Sequence, residues 1–355
     1  MSRPVVVHVV GTGTIGEPLI GLLSDHRADF GIDEITFHKR TPQKNDRSKI
    51  RELVRRGARL VVDEDRADAF RAFDMPPAFT TQEALDRATI VIDCSPQARD
   101  NKEENYESRD DGTRGFIAPA AGGFGTLYAR GINDAALAKG GRFVQVASCN
   151  THNLAIIPQT IAFPDGQFDA LESARFLVLR RANDISQDDG FCPSPVVMKH
   201  TDPVHGTHHA RDMVALYKSL GVELRDIFSS VLKVNTQYMH TIHFGLRLKR
   251  RATMEGILEA IQKNDRLAVT WKTSSNAVFS FGRDHGHYGR ILNQTVFCAP
   301  SLHVSPDGRD VTGVCFTPQD GNPLLSSVAA MLFLLDPKTY ETRLQALKPY
   351  FFEEV

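Results

Sequence analysis

The run Pro4-Val5-Val6-Val7-His8-Val9-Val10 leads directly into Gly11-Thr12-Gly13-Thr14-Ile15-Gly16. Apart from His8 the run is apolar, the pattern of a strand covered on both faces. Beyond the glycines, Ile15, Leu19, Ile20, Leu22 and Leu23 recur on one side of a helix. Pro18 stands in its first turn, where a missing N–H costs little. A buried strand, a G-x-G-x-x-G turn and a helix in that order make a dinucleotide-binding unit. The first glycine permits the tight turn, the second lets a pyrophosphate approach the backbone, and the third lets helix and strand pack closely. The helix N-terminus supplies free N–H groups and a positive dipole end. A tight turn without a ligand is the competing reading, and the strand and helix on either side argue against it. Gly11, Thr12, Gly13, Thr14, Ile15 and Gly16 are therefore the candidate phosphate cradle.

Outward from this unit, strand-like runs at 34–38, 59–62, 89–93 and 142–147 alternate with helical stretches at 46–56 and 80–87. A charged stretch, 101–113, reads as a helix followed by a surface loop. Such alternation predicts an α/β fold, a Rossmann-type doubly wound parallel sheet with right-handed crossovers. The texture changes after about residue 150. Longer strands at 174–179, 231–235, 241–248 and 311–316 predict a mixed or antiparallel sheet in an α+β domain, with helices at 210–220 and 254–262 between them. Residues 182–207 form a long irregular segment, of the kind that usually carries function. A final apolar helix covers 322–335. The expected division is an NADP-binding Rossmann domain at 1–148, joined by a C-terminal helix within about 318–355, and a catalytic domain at 149–317.

The chain has 355 residues, 42 Lys and Arg against 43 Asp and Glu, and a formal net charge of −1, enough length for two domains with their own cores. That balance provides no broad basic field for nucleic acid or an anionic membrane. Val5–Val10 and the later apolar run 328–335 are too short to span a bilayer. Five cysteines without regular spacing argue against a disulfide framework and for a reducing, cytoplasmic setting.

Two places carry chemistry beyond the glycine turn. The strand at 34–38 ends in His38-Lys39-Arg40-Thr41-Pro42, with no carboxylate to receive a ribose 2′-hydroxyl. Lys39 and Arg40 suit a 2′-phosphate and Thr41 adds a hydroxyl, so NADP is the expected cofactor, with NAD as the alternative. Ser148-Cys149-Asn150-Thr151 follows the strand at 142–147. A cysteine opening a helix, with polar neighbours, is placed to be a thiolate nucleophile. Cys94, Cys298 and Cys315 sit in apolar runs and read as packing residues. Cys192 lies in the long loop.

With these motifs on the page, the chain resembles the archaeal-type (type II) glyceraldehyde-3-phosphate dehydrogenases, as a divergent member. The matching pieces are Gly11–Gly16, Lys39 with Pro42, Ile90-Val91-Ile92-Asp93-Cys94, Ser148-Cys149-Asn150-Thr151, Leu179-Arg180-Arg181-Ala182, His208-His209, Met239-His240 and Gly282-Arg283-Asp284. The resemblance implies that Cys149 attacks an aldehyde, that hydride passes to NADP, and that inorganic phosphate cleaves the thioester. It implies His240 as base, and Asn150, Thr151, Arg180, Arg181, His208 and His209 around the substrate and phosphate. Ser95 and Asn322 join the cofactor set. It further implies a phosphorylated aldehyde substrate and a homotetramer, with no nucleic-acid or membrane partner.

His200 and His205 with the His208-His209 pair could suggest a metal, but no carboxylate or cysteine falls at ligand spacing, so none is expected. The departures are His152 and Asn153, where the family has Thr and Gly, and Asp188-Asp189-Gly190-Phe191-Cys192-Pro193, where it has a Lys-Gly-Pro element. Losing a cation and gaining carboxylates disfavours two phosphate sites, unless Lys199 or His205 holds the second anion. Two alternatives therefore stand: a dehydrogenase of another semialdehyde, carboxylated or phosphonylated, and a non-catalytic dinucleotide-binding redox sensor.

Overall fold

The computed structural model describes residues 3–109, 112–119, 122–184, 187, 190, 192–318 and 320–355. Asp188, Asp189 and Phe191 lie outside the described residues. The chain divides into two compact units. The first comprises Met1–Leu127, Leu137–Val146 and Ser326–Ala346. The second comprises Tyr128–Ala136, Ala147–Leu325 and Leu347–Val355.

Eight strands make the first sheet: β1 (Val6–Val10), β2 (Glu34–His38), β3 (Arg59–Val62), β4 (Phe79–Thr80), β5 (Ile90–Asp93), β6 (Gly115–Pro119), β7 (Thr126–Tyr128) and β8 (Phe143–Val146). Their order is β4-β3-β2-β1-β5-β6-β8-β7, and β1 pairs in parallel with both β2 and β5. Val10 stands level with His38 on one side and Asp93 on the other. Gly11, Lys39 and Cys94 therefore leave the sheet at the same carboxyl edge, where the strand order reverses and dinucleotides bind in such folds. Every residue of β1 and β5 is buried, which is why both strands read as near-continuous apolar runs.

His8, the polar exception in β1, is fully buried and places Nδ1 2.8 Å from the Thr36 hydroxyl of β2. Burial first, then the nearby His38 and Arg109, push its pKa down to about 3, so the ring is neutral. Helix Thr81–Arg87 starts as its sequence predicts: the Thr80 hydroxyl accepts from the Glu83 N–H and the Glu83 carboxylate accepts from the Thr80 N–H.

The charged stretch after residue 97 folds as a short helix, Ala98–Asn101, continued by a π-helical turn, Lys102–Tyr106. That turn brings the Tyr106 hydroxyl 2.7 Å from the buried Asp93 carboxylate. Tyr106, Phe116 and Phe143 then stack in series at 4.8 and 5.0 Å, closing the core over β5, β6 and β8.

The second sheet is mixed. Its strands are β9 (Leu171–Arg180), β10 (Val196–Val197), β11 (Ile227–Lys233), β12 (His240–Leu248), β13 (Leu267–Thr270), β14 (Thr295–Cys298), β15 (His303–Val304) and β16 (Asp310–Thr317). The order is β10-β11-β9-β12-β16-β14-β13, with β15 on β16. β9 runs parallel to β11 and antiparallel to β12, which is antiparallel to β16. β11 begins at Ile227, four residues before its apolar signal at Val231. The pair Ser229-Ser230 disguises that start, and the buried Ser229 hydroxyl is satisfied by Thr207 at 2.7 Å. Beside the sheet runs the long, almost wholly buried helix Cys149–Ile161. The molecule thus combines a Rossmann-type parallel sheet with a second, mixed sheet. No helix among the described residues is long and apolar enough to cross a membrane.

Candidate active site

In the first unit a pocket of about 730 Å³ opens at the carboxyl edge of the parallel sheet. Gly11, Thr12, Gly13, Lys39, Arg40, Thr41 and Ser95 line it. Thr14, Ile15 and Gly16 carry the chain into helix Gly16–Asp25. The glycines are fixed by geometry. Gly11 has φ +91°, a Cβ on Gly16 would collide with the Gly11 carbonyl, and a Cβ on Gly13 would meet only open space. Open space above the second glycine is what a pyrophosphate requires, so these residues fit a dinucleotide.

Carboxylates that belong to no sequence motif also line this pocket, among them Asp46 and Asp63. Lys39 Nζ lies 2.8 Å from Asp46, which also faces Lys49 at 3.4 Å; Lys49 in turn reaches Glu17 and the Thr12 carbonyl. Burial raises the Asp46 pKa, but the hydrogen bond and charge of Lys39, with Lys49, outweigh it and hold it below the usual carboxylate range. Asp63, at the end of β3, receives His38 Nε2 at 3.1 Å and the Thr81 hydroxyl at 2.7 Å. These bonds, His38 first, lower its pKa to about 2. No carboxylate stands at the end of β2, and the fold supplies one from the following turn and one from the end of the next strand, both remote from the glycine motif along the chain.

In the second unit Cys149 is the first residue of helix 149–161, capped by Ser148. The Ser148 hydroxyl lies 2.9 Å from that of Thr151 and 3.4 Å from His209 Nδ1. His209 belongs to helix His208–Lys218, whose cap Thr207 accepts from the His209 N–H. The hydrogen bond between Ser148 and His209 therefore links the N-terminal turns of two helices, an arrangement suited to an anion. Asn150 Oδ1 accepts from Thr317, 3.4 Å away. Asn322 Nδ2 donates to the Cys149 carbonyl at 3.0 Å and to the Gln294 carbonyl at 3.1 Å. Its buried Oδ1 has no partner among the described residues.

Arg180 and Arg181 part company at the end of β9. Arg180 is exposed. Arg181 is 2% exposed, with its guanidinium 2.9 Å from Asp184 and 3.2 Å from Asp320. Its backbone N–H donates to His240 Nδ1 at 3.1 Å. A backbone N–H can only donate, so the neutral His240 ring carries its proton on Nε2. Burial first, then Arg181, Arg180 and His209, keep its pKa well below the usual histidine value.

His209 is pushed to about 3 by burial, then by His208 and Arg180. The His208 ring, 3.9 Å from that of His209, is lowered chiefly by burial. Cys149 retains partial exposure, yet its pKa is pushed up to about 12 by its packed surroundings and by Asp320; Arg181 opposes the rise and Asp184 adds to it. Neither Asp184 nor Asp320 belongs to a sequence motif.

The remaining thiols are free; Cys192, Cys298 and Cys315 are buried, and Cys94 lines the dinucleotide pocket. His200 meets the Ser230 hydroxyl and His205 the Ile227 carbonyl. No three His, Cys, Asp or Glu side chains among the described residues cluster as metal ligands.

A Rossmann unit, together with a mixed-sheet unit in which a cysteine opens a buried helix, defines a two-unit α/β protein of dehydrogenase-like build. Its sequence is similar to archaeal glyceraldehyde-3-phosphate dehydrogenases over most of the chain. The enzyme of Methanocaldococcus jannaschii is 26% identical over 324 residues, 85% of each chain. That of Pyrobaculum islandicum is 24% identical over 270 residues, 74% of this chain and 71% of its own. That of Methanococcoides burtonii is 25% identical over 298 residues, 79% of each. No protein-family model matches the chain.

Proposed function

We propose that this protein is a cysteine-dependent aldehyde dehydrogenase of the glyceraldehyde-3-phosphate dehydrogenase kind, cytoplasmic and homotetrameric, preferring NADP to NAD. The observation that carries the reading is Cys149 at the start of helix 149–161, tethered through its carbonyl by Asn322 and flanked by the buried Arg181. Cys149, once ionised, adds its sulfur to the aldehyde carbon, and the carbonyl oxygen becomes an oxyanion. A nicotinamide dinucleotide would supply the acceptor for the hydride that this carbon loses. Inorganic phosphate then adds to the thioester, and the C–S bond breaks to return the thiolate and release an acyl phosphate. Because Nδ1 is occupied by the Arg181 N–H, His240 acts as an Nε2–H donor to the developing oxyanion. The linked helix N-termini at Thr151 and His209, with His208 and the exposed Arg180, bind the anion. Gly11, Thr12 and Gly13 hold the pyrophosphate, Lys39, Arg40 and Thr41 the 2′-phosphate, and Ser95 borders the same pocket.

A second reading keeps fold, cofactor and thiol but takes a different semialdehyde, bearing a carboxylate or phosphonate. It is favoured by the engagement of Arg181 with two carboxylates, which leaves Arg180 as the exposed member of the pair. Reduction of NADP and NAD with phosphorylated and carboxylated aldehydes, with and without phosphate or arsenate, separates the two. Turnover that needs neither anion would exclude phosphate as acyl acceptor. In the same assays Cys149→Ser abolishes turnover while binding of the dinucleotide persists; a Ser variant that still turns over would remove the thiol mechanism.

A further inference from the structure

The turn that opens helix Gly321–Leu335 touches both partners in the thiol's surroundings. Asp320 meets the Arg181 guanidinium at 3.2 Å, and Asn322, two residues on, donates to the Cys149 carbonyl at 3.0 Å. Asp320 has φ +53°, a left-handed conformation that a non-glycine residue adopts only when its surroundings impose it. Gly321 leaves no room for a Cβ, which would collide with the Ile291 carbonyl. Asp184, three residues beyond Arg181, accepts from the same Nη2 at 2.9 Å. Arg181 is 2% exposed and Asp320 8%, so that contact lies away from bulk water, where it is strong, whereas Asp184 is 41% exposed.

We propose that Asp320 is a positioning residue for Cys149. It fixes Arg181 beside the thiol, as the thiol's counter-cation and not as a ligand for the substrate anion, while Asn322 of the same turn fixes the cysteine backbone. Among the described residues, two carboxylates and one guanidinium then bear on the thiol, an excess of one acidic group. That excess keeps the resting sulfur in its thiol form, consistent with the direction in which Asp320 and Asp184 move its pKa. The proposal deepens the reading of Cys149 as nucleophile and rests on it.

The test is the pH dependence of iodoacetamide alkylation at Cys149, followed by mass spectrometry of its peptide so that the other four cysteines do not contribute. Asp320→Asn keeps the side-chain shape and removes the charge. It should lower the apparent thiol pKa by about 1 unit and speed alkylation at pH 7.5 by roughly tenfold. Asp184→Asn, more exposed and easier for the fold to absorb, should act in the same direction by less. Arg181→Gln should raise the pKa, and Asp307→Asn, in the exposed turn before β16, should leave it unchanged. Unaltered profiles in Asp320→Asn and Asp184→Asn would overturn the proposal, as would an equal shift in Asp307→Asn. If Asp320→Asn fails to fold, the signs of the Asp184→Asn and Arg181→Gln shifts decide. A fully alkylated Cys149 that still supports turnover would instead refute the nucleophile reading, so the two failures are distinct.

Discussion

The backbone N–H of Arg181 donates to Nδ1 of His240 at 3.1 Å. One residue therefore sets the tautomer of the imidazole with its backbone and answers two carboxylates with its side chain. The bond spans β9 and the start of β12, which are antiparallel neighbours with Thr241 opposite Leu179. Sheet register, not proximity in sequence, creates it.

The tautomer gives a prediction that separates donor from base. His240→Gln places an N–H where Nε2–H stood and should keep more turnover than His240→Ala, by about tenfold, corresponding to roughly one hydrogen bond to a charged oxygen. His240→Asn, whose shorter amide cannot reach that position, should behave like His240→Ala. Equal losses in all three variants, measured as kcat, would mean that the ring moves a proton and does not merely donate.

Asp46 pairs with both Lys39 and Lys49, and the proposed NADP preference predicts how each affects coenzyme choice. Lys39→Ala should weaken NADP more than NAD, by at least tenfold, because a 2′-phosphate loses a charge-assisted contact. Asp46→Ala should shift the preference further toward NADP by releasing both lysines. Isothermal titration with the two cofactors reads both effects. Equal losses for NADP and NAD in Lys39→Ala would refute a 2′-phosphate contact.

Stability should fall on mild acidification. His8, His152 and His209 have folded pKa values of about 3, 4 and 3, against an ordinary 6.5. The unfolded chain binds more protons between those limits, so each histidine lowers unfolding free energy as pH drops below about 6.5, and none contributes above it. The slope is at most about 1.4 kcal/mol per pH unit for each ring. Urea unfolding at pH 7, 6 and 5 should show the decline, and His152→Gln should reduce its slope by about one ring's share. A stability independent of pH over that range would contradict neutral, buried rings.

Tyr106→Phe removes the hydroxyl that reaches Asp93 at 2.7 Å. Asp93 is 1% exposed and also accepts from the Ser95 N–H and from Asn101. Stripping one of these donors from a buried carboxylate should cost about 1–3 kcal/mol in thermal or denaturant unfolding. A neutral result would indicate that water replaces the hydroxyl.

The sequence by itself determined the elements whose signals are local. A continuous apolar strand, three glycines and an amphipathic helix specify β1, its turn and the following helix. Thr80 and Glu83 specify a helix start, and Ser148 before Cys149 specifies another. Alternation of such units implies the parallel sheet, and the motif order carries the similarity to the archaeal enzymes. β4 was not legible: it has only two residues, too few for a period to emerge. Tertiary structure alone decided the charges around the thiol and the cofactor pocket. Asp320 reaches Arg181 from a distant segment to join the nearby Asp184, and Asp46 and Asp63 reach the dinucleotide pocket from beyond β2. Charge pairing acts through space over a few ångströms, whereas a motif records only neighbours along the chain. The fold therefore separates two adjacent arginines that read alike, leaving Arg180 in solvent and burying Arg181 between two carboxylates.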